Sequence, residues 1–171
     1  MTVSRQATWI PACIGIGSNL GDPIAQVQEA FAALEDLVDT RLVVRSSLYR
    51  NPPMGPIDQP DYVNAVAVLL TRLEARELIG ELKQIEQRQG RVPESAVRWG
   101  PRRLDLDILT FGYRCIDEPD LKIPHPGILE RNFVLFPLLE ISPQLYIPGL
   151  GLVKRLAADS DASTLEKVGN V

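Results

Sequence analysis

Two carboxylates, Asp105 and Asp107, stand one residue apart directly after a cation-rich turn, in Arg98-Trp99-Gly100-Pro101-Arg102-Arg103-Leu104-Asp105-Leu106-Asp107-Ile108-Leu109. Side chains alternate faces along a β-strand, so both aspartates point the same way, with Cα atoms roughly 6.5–7 Å apart. Leu104, Leu106 and Ile108 then point the other way, into a core. Carboxylates at that spacing can share a pair of Mg²⁺ ions roughly 3.5–4 Å apart. Guanidinium groups beside such ions suit a polyphosphate, because arginine binds phosphate through paired hydrogen bonds. The pattern points to metal-dependent phosphoryl-type transfer. Taken alone, Asp-x-Asp on an exposed strand is more often plain solvated charge. The neighbourhood shifts the balance: Arg88, Arg91, Arg98, Arg102 and Arg103 lie close upstream in a chain that is acidic overall. Adjacent carboxylates repel unless a cation sits between them, and Mg²⁺ favours a few carboxylates plus substrate phosphates.

These residues need a scaffold, and the composition bounds it. The chain has 171 residues, 45% hydrophobic and 23% charged. That fits a single domain over 1–171, with a core at 10–150 and a C-terminal tail at 151–171, large enough to bury its core without staples. The net charge of −4 disfavours wholesale nucleic-acid binding. Cys13 and Cys115 read as two buried thiols in a reducing compartment. The longest apolar run, 65–70, is too short to cross a bilayer, and 1–9 lacks an apolar signal core. The expectation is a cytoplasmic protein.

Residues 8–16 read as a strand made irregular, or held to an edge, by Pro11. Residues 15–21 read as a glycine turn, and Asp22-Pro23 supplies a helix N-cap and a proline at the first helical position. Val27, Ala30, Phe31, Leu34 and Leu37 recur at helical spacing. A strand over 42–49 places Leu42, Val44, Ser46 and Leu48 on one face. Residues 51–60 hold four prolines and a glycine and form a candidate binding loop. A strand over 62–71 puts Tyr62 and Asn64 on one face, and a helix over 75–89 buries Leu78, Leu82 and Ile85. A second long loop, 90–103, leads into the aspartate strand at 105–111. Strand-and-turn follows at 113–123, then short helical pieces at 128–139 and a frayed terminal helix at 153–158. The order β-α-β-β-α-β predicts an α+β, ferredoxin-like αβα sandwich with a mainly antiparallel central sheet.

Other local patterns are less decisive. Gly15-x-Gly17 lacks the third glycine of a dinucleotide fingerprint, since position 20 is Leu20, and no P-loop is present. Phosphate binding therefore falls to arginines and metals. His125, the one histidine, is fixed between Pro124 and Pro126. It fits a surface residue, a core hydrogen-bonder or a functional group, and excludes a multi-histidine zinc centre. Neither cysteine has a triad partner. Tyr62 and Asn64 could form a slot for an aromatic heterocycle, one stacking and one reading its edge, or could be a plain surface pair. Phe133 is equally open between core and slot.

Together these residues resemble the 6-hydroxymethyl-7,8-dihydropterin pyrophosphokinase family over roughly residues 10–150. The motifs are Gly15-x-Gly17-Ser18-Asn19-Leu20-Gly21, Pro52-Pro53-Met54-Gly55, Gln59-Pro60-Asp61-Tyr62-Val63-Asn64, Arg98-x-Gly100-Pro101-Arg102-x-x-Asp105-Leu106-Asp107, and Pro124-His125-Pro126 with Arg131-Asn132-Phe133. The resemblance implies pyrophosphate transfer from ATP to the pterin hydroxymethyl group, giving the pterin diphosphate and AMP in folate biosynthesis. It implies two Mg²⁺ on Asp105 and Asp107, and Arg91 and Arg102 neutralising charge. The pterin falls to Asn51, Pro52, Met54, Tyr62, Asn64, Trp99 and Phe133. ATP falls to Glu86, Arg91, Trp99, Arg102, Ile108, His125 and Arg131, with Trp99 closing a lid. Its partners would be small molecules, not nucleic acid or membrane, and it would act as a monomer.

Three positions depart from the family pattern. Pro93 stands where an arginine is often found, Pro126 where an aromatic often follows the histidine, and Lys83 where a polar amide is typical. Two rival classes are an RNA-binding module of the same topology and a catalytically silent nucleotide- or pterin-binding regulator. The first needs a basic, aromatic-rich sheet that this chain lacks. The second is opposed by intact Asp105, Asp107, Arg102 and His125.

Overall fold

The structure is a computed structural model describing residues 8–90 and 100–169. Strands β1 (Ile10–Ser18), β3 (Leu48–Asn51), β4 (Tyr62–Thr71), β5 (Asp105–Phe111) and β10 (Glu166–Gly169) lie side by side in the order β10-β3-β4-β1-β5, and β2 (Thr40–Arg45) also pairs with β4. Every pairing in this six-stranded sheet is antiparallel. Helices α1 (Pro23–Glu35) and α2 (Ala75–Arg88) cover one face. Helices α3 (Asn132–Ile141) and α4 (Val153–Ala158) cover the other. Small hairpins β6–β7 (Ile116–Glu118, Leu121–Ile123) and β8–β9 (Tyr146–Ile147, Gly151–Leu152) link the layers. The fold is the expected ferredoxin-like α+β sandwich.

The periodicities explain the layers. Ala12, Ile14 and Ile16 of β1, with Leu106 and Ile108 of β5, pack against Phe31, Leu34, Leu78 and Leu82. The alternate residues Cys13, Val66 and Leu109 pack against Val134, Leu135 and Leu138 of α3. Truncating a fully buried leucine such as Leu82 to alanine typically costs about 2–5 kcal/mol. Asp22 caps α1, its Oδ1 accepting the Ala25 N–H at 3.1 Å ahead of Pro23.

Several expectations are corrected. Pro11 lies near the start of β1, which is central between β4 and β5 rather than at an edge, while the irregular alternative holds as a register slip against β5 between Cys13 and Ile14. Gly15 and Gly17 belong to β1 rather than to a turn. The expected strand over 42–49 is two strands, broken at Ser46-Ser47. There the Ser47 N–H and hydroxyl donate to Glu140 of α3, at 3.2 and 2.6 Å, in place of continuing the ladder. Helix α4 is not the chain's last element, because β10 follows it and extends the sheet beside β3. Cys115 is exposed; only Cys13 is buried. Among the described residues no helix is long and apolar enough to cross a membrane.

Candidate active site

The antiparallel register brings the end of β1 beside the starts of β4 and β5. Asn64 pairs with Gly17, and Gly17 pairs with Asp105. One row of the sheet therefore reads Asn64–Gly17–Asp105. Adjacent strands lie about 4.8 Å apart, so Asn64 and Asp105 stand roughly 9.5–10 Å apart over a glycine floor. The next row places Gly15 between Val66 and Asp107. A Cβ on Gly17 would lie 2.7 Å from Asn64 Oδ1, so only glycine leaves Asn64 its place.

Above this floor is a cavity of about 460 Å³ walled by Asn51, Met54, Tyr62, Asn64, Arg102, Asp105, Asp107, His125, Arg131 and Phe133, among others. Asn64 Nδ2 donates to Asn51 Oδ1 at 2.5 Å, and Asn51 Nδ2 donates to the Pro52 carbonyl at 2.9 Å. Tyr62 donates its hydroxyl to the Gly100 carbonyl at 2.8 Å. Pro52 lines an adjoining recess with Met54 and Phe133. The amide end of the cavity therefore grades into the charged end through the aromatics, the Phe133 ring lying 5.9 Å from the Arg131 guanidinium.

At the charged end, Arg102 Nη1 lies 2.7 Å from Asp105 Oδ1, and Arg131 Nη1 lies 3.5 Å from Asp107 Oδ2. Arg131 passes over Gly127, where a Cβ would meet its Nε at 2.9 Å. His125 is held by a β-bulge. The β1–β5 register slips between Cys13 and Ile14, leaving Leu109 as the extra residue, and its carbonyl accepts the His125 N–H at 2.9 Å. His125 Nδ1 accepts the Gly127 N–H at 3.0 Å. In the neutral ring the proton therefore sits on Nε2, which lies 3.6 Å from Asp107 Oδ2. Burial, reinforced by the Arg131 charge, holds His125 down at about 4, so the ring is neutral at pH 7.

Asp107 moves the opposite way. Burial, then the adjacent Asp105 charge, pushes it up to about 7, against the opposing pull of Arg131. The two aspartates are hard oxygen donors, and no cluster of three or more His, Cys, Asp or Glu side chains suited to a metal occurs among the described residues. That donor set fits Mg²⁺, which completes its shell with water and substrate phosphate, better than a protein-caged zinc.

The raised value has a consequence for stability. An unfolded aspartate titrates near 3.9, so the native state holds this proton to higher pH than the unfolded chain does. Native stability falls as pH rises from about 4 to about 7, then levels off. Asp107→Asn, without ligands, should therefore melt higher than wild type at pH 8. The gain should be on the order of 1 kcal/mol after solvent screening, or roughly 2–4 °C. The gap should close towards pH 4. A melting-temperature difference that does not change with pH would contradict the repulsion.

Two residues expected at the nucleotide do not line this cavity. Ile108 is buried in the core on the α1–α2 side of the sheet, away from the cavity, because odd and even positions of β5 face opposite ways. Glu86, buried on α2, accepts the Leu106 N–H at 2.8 Å and so pins β5 from behind. Arg91 and Trp99 lie outside the described residues, as does most of the expected lid. The glycine floor and Gly127 were not legible as site residues. The sequence signals for the floor are Gly-x-Gly at period two inside a β-rich segment and its place in the opening motif of the family resemblance.

Comparison with known proteins decides the family. The model of the 7,8-dihydro-6-hydroxymethylpterin-pyrophosphokinase (HPPK) family matches residues 13–143. The 2-amino-4-hydroxy-6-hydroxymethyldihydropteridine pyrophosphokinase of Pseudomonas aeruginosa is 49% identical over 146 residues, spanning 85% of this chain and 89% of the relative. The chain belongs to the HPPK family. Its Haemophilus influenzae counterpart is 46% identical over 147 residues, covering 86% of this chain and 91% of that protein. Among solved structures, wild-type HPPK-DHPS of Plasmodium falciparum aligns with a TM-score of 0.70 over 91% of this chain and 45% of that one. At 14% identity this likeness bears on the HPPK fold alone. The cavity described above is thus the candidate active site of an HPPK-family pyrophosphokinase.

Proposed function

We propose that this chain transfers a pyrophosphoryl group from ATP to the hydroxymethyl oxygen of 6-hydroxymethyl-7,8-dihydropterin, in folate biosynthesis, and that the reaction depends on Mg²⁺. The observation that carries this reading is the single floor joining an amide-and-aromatic slot to a carboxylate–arginine end. The substrate hydroxyl oxygen bonds to the β-phosphorus and gives up its proton to solvent, the bond from that phosphorus to the α,β-bridging oxygen breaks, and AMP leaves with that oxygen. Asp105 and Asp107 hold two Mg²⁺, which when bound polarise phosphate oxygens and offset charge developing in transfer.

The side chains divide the remaining work. Asn64 and Asn51 read the hydrogen-bonding edge of the pterin, and Tyr62 and Phe133 bracket its ring, with Met54 and Pro52 closing the apolar end. Arg131 and neutral His125, through Nε2–H, donate to ATP phosphate oxygens. Arg102 sits between the two ends and turns from Asp105 towards the transferring group, where added negative charge is greatest. Arg91 and Trp99 are assigned to closure of the loop. The chain acts as a cytoplasmic monomer on small molecules; its acidic charge disfavours nucleic acid as a partner, and its free cysteines fit a reducing compartment.

The defining test is the product. Wild-type protein incubated with ATP, Mg²⁺ and the pterin should yield AMP in proportion to pterin consumed. A chromatogram showing ADP and no AMP would mean ordinary kinase chemistry and would overturn the reading.

A further inference from the structure

Asn19 lies just past β1, 2% exposed, and has no direct place in the reaction proposed above. Its side chain nevertheless joins three segments. Its Nδ2 donates to the Gln59 side chain and to the Pro60 carbonyl, both at 2.9 Å. Its Oδ1 accepts the Arg102 N–H at 2.8 Å, while its own N–H donates to the Arg102 carbonyl at 3.0 Å. The orientation of the amide is fixed by its partners. A backbone N–H can only donate and a carbonyl can only accept, so the oxygen must face Arg102 and the nitrogen Pro60.

The segments it joins serve the two ends of the cavity. Pro60 leads directly into β4 and hence to Tyr62 and Asn64. Arg102 leads into β5 and hence to Asp105, which its own guanidinium contacts. The Tyr62–Gly100 hydrogen bond is a second tie between the same two segments.

We propose that Asn19 is a positioning residue: one buried carboxamide fixes the loop that leads to the pterin slot against the loop that carries Arg102, so that acceptor and polyphosphate meet in register. The assignment rests on the functional reading above. Misplacement by about 1 Å can cost roughly a hundredfold in rate even when no reacting group is lost. An aspartate here would keep the acceptor but lose both donors, and alanine loses all three side-chain bonds. Arg131 and His125, which make no hydrogen bond to Asn19, keep holding ATP when Asn19 is replaced, whereas Arg102 shifts with its loop at the transferring group.

The test compares wild type, Asn19→Ala, Gln59→Ala and the double variant, each confirmed folded by a cooperative melt. Asn19→Ala should lower kcat and raise the pterin KM, each by roughly 10–100-fold, with the ATP KM changed by no more than about threefold. Gln59→Ala should raise the pterin KM by a smaller factor and leave kcat within about twofold. The double variant should resemble Asn19→Ala alone, because both changes cut the same strap. Hydrogen exchange supplies a readout independent of turnover. Asn19→Ala should speed exchange together at residues 59–62 and 100–104, and leave α3 unchanged. Equal losses for both substrates, or kinetics within twofold of wild type, would overturn the positioning role, as would additive effects in the double variant. If wild type made no AMP, the functional reading would fall, and exchange would decide the strap alone: joint acceleration supports it and unchanged rates refute it.

Discussion

Asp107→Ala, assayed at saturating ATP, pterin and Mg²⁺, is expected to lose several orders of magnitude in turnover while the protein becomes no less stable. The carboxylate is one of two at the charged end of the cavity, and in the proposed reaction metal ions held there would supply several kcal/mol of transition-state stabilisation. Each 1.36 kcal/mol is a tenfold change in rate. Asp105→Ala should lose as much, with an added effect from releasing Arg102, its partner at 2.7 Å. Pterin affinity should change little, because Asn64 stands roughly 9.5–10 Å away across Gly17. The stability measurement separates chemistry from misfolding. Asp107 suffers from burial and from Asp105 in the native state, so removing it relieves a cost. Near-normal turnover of Asp107→Ala at saturating Mg²⁺ would remove the metal-holding role.

Asn64→Leu is expected to cut pterin affinity by roughly 10–100-fold or more and leave ATP affinity nearly unchanged. Leucine keeps the approximate volume and removes both the donor and the acceptor. Asn64 is 6% exposed and donates to Asn51, itself 4% exposed, so the substitution also leaves the Asn51 carboxamide short of a partner. A buried polar group without its partner costs about 1–3 kcal/mol, and each ring group of the ligand left unpaired adds a similar amount. Separate calorimetric titrations with the pterin and with a non-hydrolysable ATP analogue, each with Mg²⁺, distinguish the effects. Equal losses in the two titrations would indicate a collapsed cavity rather than lost edge recognition.

Much of this was legible in the chain. The alternation of β5 placed Asp105 and Asp107 on one face and Leu106 and Ile108 on the other, as observed. The apolar spacing of α1 and α2 gave their buried sides, and Asp22-Pro23 gave the start of α1. The same alternation turns the Ile108 side chain into the core, so the nucleotide role implied by the family resemblance falls to its backbone. Other features were hidden because they depend on partners remote in sequence. Ser46-Ser47 looks like continuing strand until Glu140, on a helix far along the chain, takes the Ser47 N–H and hydroxyl. Residues 166–169 have no strong strand signal and become β10 because β3 offers an open edge. Cys115 sits in an apolar-looking stretch but falls beyond the end of β5, outside the core.

Near neighbours along the chain set the periods of strands and helices, the helix cap and the facing of the two carboxylates. Those depend on backbone geometry, which repeats every two or 3.6 residues and is the same in any protein. Packing of distant segments sets the register that puts Gly17 between Asn64 and Asp105, the bulge at Leu109 that anchors His125, and the burial that keeps that ring neutral. Each arises from contacts between segments tens of residues apart. Register and desolvation belong to the assembled sheet, so the distance between the two ends of the cavity, and the charge at one of them, exist only once the strands have paired.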